Sequence, residues 1–245
     1  MINTITKRNI IVVELLMIML LYGVMMWVLI PIIFTSSVSL YIFLILSASV
    51  VVYYFHISPL FIHKDTFEVR GLGQRKSFFI RLDNFFKALN LVFLPLILLS
   101  AVIVFLAWYK DSNFFYEPDW YGLFYRFIVY LLSAFVQDIF FFSLILIRLK
   151  QIIVLKSDLH KLIVVTLVFA VIFSMFHLPN IPLMALSFIF AFCLGCLFYK
   201  VPNLYVVVLV HAVLGTLLHS VYKMHMKVGI FYGFEGNVVM TYILK

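Results

Sequence analysis

Long apolar runs separated by short polar or basic segments dominate this chain. The first extends from Ile10 to Phe34 behind Lys7 and Arg8. It exceeds the apolar stretch of about 7–15 residues in a secretory signal, and no small-residue cleavage pattern follows, so it reads as a retained membrane span. A second run covers Ser37 to Ile62 after the uncharged turn Thr35-Ser36-Ser37, a third Ala88 to Trp108, and a fourth Gly122 to Ile147. Leu162 to Leu178, Leu183 to Tyr199 and Leu204 to Tyr222 follow. A helix needs about 20 apolar residues to cross hydrocarbon. The pattern therefore predicts an all-α, polytopic transmembrane bundle of about seven spans, forming a single membrane domain over residues 1–245. The fifth and sixth runs are short, and the join Pro179-Asn180-Ile181-Pro182 predicts a break of the kind that lines a cavity.

Between the second and third runs, RKSFFIRLDNFFKALN places Phe78, Leu82, Phe85, Phe86 and Leu89 at helical spacing, with Arg75, Arg81, Asp83 and Lys87 opposite. That arrangement predicts a basic interfacial helix lying on the inner leaflet between spans 2 and 3.

Composition agrees with the pattern. The chain is 66% hydrophobic and 11% charged, against about 25% charged residues in soluble domains, which excludes a water-soluble globule. Disordered chains are charge-rich and poor in aromatics, whereas this one has 28 Phe and 14 Tyr. The net charge of +8 follows from the positive-inside rule and needs no nucleic-acid partner. With the N-terminus cytoplasmic, Lys7, Arg8, Arg148, Lys150, Lys156 and Lys161 fall on the inner side, while Asp111, Glu117 and Asp119 fall in an outer loop. These positions predict an integral protein of the cell membrane with its N-terminus inside, and the lipid bilayer is its first partner. Cys193 and Cys196 lie three apart in an apolar stretch with no second pair to complete a zinc site, so they read as small buried hydrophobes. Glu14 is expected to snorkel to the cytoplasmic interface, and His56, His63 and His160 read as solvated loop residues. His219 and His225 fall near the outer end of the last run.

Four polar positions resist this bland account. Gln137 and Asp138 sit inside AFVQDIFFFSLILI, with no other charge from Ile128 to Ile147. An Asp at a span centre costs about 2.5–3.5 kcal/mol on insertion scales, so it must become neutral or find a cationic partner. His177 closes the fifth run and His211 lies within the seventh. Either histidine alone reads as interhelical glue, but a carboxylate and two imidazoles on three late spans can together activate a water.

These residues resemble the CAAX protease and bacteriocin-processing membrane proteins, also called the Abi family, whose members are intramembrane glutamic-type endopeptidases. The family pattern is Glu-Glu-x-x-x-Arg, then Phe-x-x-x-His, then His-x-x-x-Asn. This chain has Gln137-Asp138-x-x-x-Phe142, Phe173-x-x-x-His177 and His211-x-x-x-Gly215, together with the FHLPN turn and the LGCLFYKVPNLY link. The resemblance covers roughly Phe124 to Ser220 as a protease-like core. It implies an endopeptidase acting on a peptide or membrane-protein substrate, with Asp138 and His177 activating water and His211 stabilising the oxyanion. Gln137 stands where a glutamate would take the water's proton, Phe142 where an arginine would pair with the acid, and Gly215 where an asparagine would donate. Those departures equally fit a catalytically inactive scaffold that keeps the fold and binds a membrane-protein partner. No cofactor or resident metal is expected: a metal site from Asp138, His177 and His211 lacks the local H-E-x-x-H signature. A proton-coupled transporter lacks the internal repeat such proteins carry.

Overall fold

The computed structural model describes residues 4–24, 49, 52–53, 57–58, 62–65, 69–71, 82–110 and 120–224. Every regular element among them is helical. They are α1 (Thr4–Val24), α2 (Leu82–Lys110), α3 (Trp120–Ile152), α4 (Asp158–Met175), α5 (Ile181–Lys200) and α6 (Leu204–Val221). Five helices among the described residues, from α2 within Asn84–Lys110 through α6, are long and apolar enough to cross a membrane. They correspond to the third to seventh expected spans. The first expected span is described as far as Val24, and most of the second lies outside the described residues. Residues 75–81 of the expected interfacial helix also lie outside them, and Leu82 to Asn90 belong to the helix that continues to Lys110.

Two helices contain π-helical turns. In α3 the turn covers Phe141–Leu146, and in α6 it covers Leu217–Val221. Such bulges widen a helix by one residue and turn the side chains that follow, and they concentrate at functional sites. The bulge in α3 begins three residues after Asp138, and all six of its residues are buried.

Helix ends follow local chemistry. Ser157 caps α4, accepting from His160 N. Asn180 Oδ1 accepts from Leu183 N at 3.2 Å as α5 begins. Asn203 Oδ1 accepts from Val206 N at 3.1 Å and starts α6. Each uses a side-chain oxygen for one of the donors that a first helical turn leaves unmatched. Hydroxyls within the helices bond back to backbone carbonyls, as Thr166 does to Leu162 O at 2.8 Å and Ser174 to Val171 O at 2.9 Å, which matches these donors inside the span.

Packing groups the chain into two compact units. One comprises Met1–Lys64, Arg148–Phe192 and Lys227–Lys245, the other Asp65–Ile147 and Cys193–Met226. In the second unit α6 packs along α3 and also touches α2. Its most apolar window is 61% buried, against 11% for that of α2, so α6 is central and α2 presents Leu91, Leu94 and Leu98 outward to lipid. Gly71 belongs to this unit with φ of 71°, and its carbonyl accepts from Leu204 N at 3.0 Å. A Cβ there would lie 2.7 Å from the Phe198 ring and 2.9 Å from Leu204 N, so both conformation and space require glycine. In the first unit, Phe173 is fully enclosed by the rings of Phe169, Phe190 and His177.

Three sequence expectations change. Cys193 is exposed and Cys196 half-buried, so Cys193 is no core hydrophobe and the apolar surface of α5 extends over it. Glu14 is buried, not drawn out to the interface, because its carboxylate meets His63 Nε2 at 2.8 Å. His63 is accordingly buried as well, not a solvated loop residue. His56 and His225 lie outside the described residues.

Candidate functional site

Asp138 and His211 meet inside the second unit. Asp138 lies near the end of the regular part of α3, on the buried side it shares with Ala134 one turn earlier. His211 occupies the middle of α6 between buried Val210 and Ala212. Where the two helices pack, His211 Nδ1 lies 3.0 Å from Asp138 Oδ1 and 3.2 Å from Oδ2. Both oxygens therefore face one ring nitrogen. The Asp138 side chain is 0% exposed and that of His211 18% exposed. A carboxylate in so dry a setting is stabilised by a close N–H donor or cation, and the imidazole is suited to either role.

The neighbours of this pair explain what became of the family's other positions. Gln137 is exposed, one residue and about 100° round the helix from the buried Asp138. Phe142 is 0% exposed and packs its ring 5.7 Å from that of Phe198, edge to face. An aromatic contact thus fills the position at which the family pattern has a cation. Gly215, one turn after His211, lies under Tyr130: a Cβ at this position would fall 3.0 Å from Tyr130 Cδ1 and Cε1. An asparagine side chain there would require the Tyr130 ring to move. The same ring meets His219 edge-on at 5.7 Å. Tyr130 is a site neighbour that motif reading missed, since its link to Gly215 is visible only once α3 and α6 are packed.

His177 belongs to the first unit. It follows the last turn of α4, where its backbone N donates to Ser174 O at 2.9 Å. Its Nδ1 lies 3.1 Å from Phe173 O, and a carbonyl can only accept, so Nδ1 carries the hydrogen. Phe173 packs against the ring at 5.3 Å, which gives the Phe-x-x-x-His spacing a physical meaning: one helical turn stacks the phenyl on the imidazole it orients.

The first unit holds a second carboxylate–imidazole pair that motif reading did not find. Glu14 meets His63 Nε2 at 2.8 Å, accepts from Tyr53 OH at 3.2 Å and faces Arg148 Nε at 3.9 Å. Arg148 also donates to Gln151 Oε1 at 3.3 Å and is 1% exposed. Among the described residues no three His, Cys, Asp or Glu side chains converge to hold a metal ion.

Apolar spans and short polar caps define an integral membrane protein, and two of its spans meet at a buried Asp–His contact. A family model described as type II CAAX prenyl endopeptidase Rce1-like matches residues 118–217, and over this stretch the chain is similar to that family. The match takes in α3, α4, α5 and α6 up to the start of its π turn. Comparison with curated proteins and with solved structures returns no match.

Proposed function

We propose that the chain is an intramembrane endopeptidase, cleaving a peptide or the terminus of a membrane protein with water activated by a carboxylate–imidazole pair. The observation that carries this reading is the contact between His211 Nδ1 and Asp138. Groups of this kind provide general-base catalysis worth about 10²–10⁴-fold. Its position within the stretch matched by the endopeptidase family model supports peptide hydrolysis over other uses of a buried acid. His177 enters the reading through the order of the motifs, as a second imidazole for the water. The N-terminus is assigned to the cytoplasm by the inner excess of Lys and Arg.

The test is to purify the protein in detergent and incubate it with prenylated and unprenylated C-terminal peptides, following fragments by mass spectrometry. Cleavage lost in Asp138→Ala and His211→Ala is expected. Cleavage that persists unchanged in both variants would sink the mechanism.

A second reading, a non-catalytic scaffold for a membrane-protein partner, draws on other observations. Gln137 is exposed, Phe142 is sealed in the core, and Tyr130 lies against Gly215. On this reading no peptide is cut, and crosslinking in native membranes recovers a partner whose yield is unaffected by His211→Ala.

A further inference from the structure

Two hydroxyls buried on α6 are matched by nothing in the protein around them. Thr216 is 4% exposed and Ser220 5%, and among the described residues neither side-chain oxygen forms a hydrogen bond. Hydroxyls elsewhere in the spans behave differently: Thr166, Ser174 and Ser187 each donate to a carbonyl three or four residues earlier. That back-bond is the usual way for a helix to match a buried hydroxyl. A buried hydroxyl without a partner is a cost that folded proteins seldom carry, and α6 carries two of them one turn apart.

Thr216 immediately precedes the π turn of α6 and Ser220 lies within it. Residues four apart share a helix face, with Cβ atoms about 5–6 Å from each other, a gap that one water closes by bonding to both oxygens at about 2.7–2.8 Å. The surroundings are closed. On one side α2 packs against the π turn, and its last residue, Lys110, donates to Tyr222 O at 3.5 Å and stands 4.8 Å over the Tyr222 ring. On another, Tyr130 of α3 lies over Gly215 and meets His219. We propose that the π turn of α6 holds an internal water, bound between Thr216 Oγ1 and Ser220 Oγ and shut off from lipid and bulk solvent. An apolar molecule would match neither hydroxyl, and two neutral oxygens are too few to hold a metal cation, whereas two polar partners suffice for a buried water. Insertion of water into the hydrogen-bond ladder is also a recognised accompaniment of local departures from α geometry. The water fastens the end of the helix whose middle carries His211. The site does not depend on the endopeptidase reading, since an inactive scaffold would hold the same water.

The test compares the full chain in detergent with Thr216→Val, Ser220→Ala and the double variant. Replacing a hydroxyl that has no partner relieves its burial and raises the unfolding midpoint, whereas replacing one that binds water lowers it. Thr216→Val keeps the side-chain shape, so it carries the sign most cleanly, and its midpoint should fall. Because both oxygens hold the same water, the double variant should lose little more than the worse single one. X-ray radiolysis, which makes hydroxyl radicals from bound water in place, gives a direct readout by mass spectrometry. Val221 is 6% exposed, and its oxidation should appear in the wild type and drop in the double variant. If the double variant does not fold, oxidation of Val221 in the wild type decides. A midpoint raised by Thr216→Val, losses that simply add in the double variant, or a wild-type Val221 that stays unoxidised would each overturn the proposal.

Discussion

Among the described residues a carboxylate meets an imidazole in two places, and the surroundings make the two unlike. Glu14 and His63 meet at 2.8 Å with side chains 7% and 0% exposed, and Arg148 stands 3.9 Å from the same carboxylate oxygen. Asp138 and His211 meet at 3.0 Å with the imidazole 18% exposed. The first pair is closed and has a permanent cation at hand, so its carboxylate is compensated whatever the histidine does. It is also further tied by Tyr53. The second sets its carboxylate against a histidine that is less enclosed. A sealed, compensated carboxylate holds structure, whereas one whose partner is only partly enclosed is the candidate for chemistry.

The largest effect should come from the open pair. Asp138→Asn is expected to cut peptide hydrolysis by about 10⁴-fold, near 5.5 kcal/mol of barrier, while unfolding in detergent shifts far less. Glu14→Gln, measured alongside, should leave the turnover of folded protein near wild type. A large loss of turnover with Glu14→Gln at unchanged stability would break the distinction between the pairs.

The closed pair should show in stability. Removing one member of a buried ion pair strands the other and costs about 3–5 kcal/mol, so Glu14→Leu should lower the unfolding midpoint sharply, and Arg148→Leu likewise. Replacing both with leucine removes the stranded charge and should recover most of that loss. Thermal unfolding of the two single variants and the double variant checks this, and simple additivity of the single losses would contradict it.

Much of this was legible in the sequence, for reasons that separate the two pairs. The boundaries of α3 to α6 follow from uninterrupted apolar runs and from Ser157, Asn180 and Asn203, whose side chains cap helices. Asp138 and His211 stood out because a polar residue inside such a run has no bland account. Glu14 and His63 did not, since a residue near the end of an apolar run looks free to reach water, and nothing local shows that an arginine more than a hundred positions later will lie beside it. Asp138 accordingly is not the sole acid in the protein's interior. The Tyr130 contact was hidden for a related reason: a glycine at 215 reads as a missing donor until the ring that occupies its space is seen.

That ring gives a smaller and sharper test of the open pair's surroundings. Gly215→Asn restores the residue found in the family pattern, yet its Cβ would lie 3.0 Å from two Tyr130 carbons. Overpacking of this kind costs about 1–3 kcal/mol, so the variant should lose stability and gain no hydrolysis.

The smallest expected effect concerns how α6 delivers His211 to Asp138. Asn203 is 3% exposed and its Oδ1 accepts from Val206 N at 3.1 Å, which sets where the helix starts, eight residues before the histidine. Asn203→Ala removes that bond and should cost about 1 kcal/mol, with Asn203→Asp retaining most of the stability, since aspartate caps equally well. If the cap merely holds the helix end, turnover of the folded fraction stays unchanged while the unfolding midpoint falls. If it also fixes the depth of α6 against α3, turnover falls with the midpoint in Asn203→Ala and returns in Asn203→Asp. The first outcome would confine the exacting part of the site to the Asp138–His211 contact, and the second would extend it along α6 to its first turn.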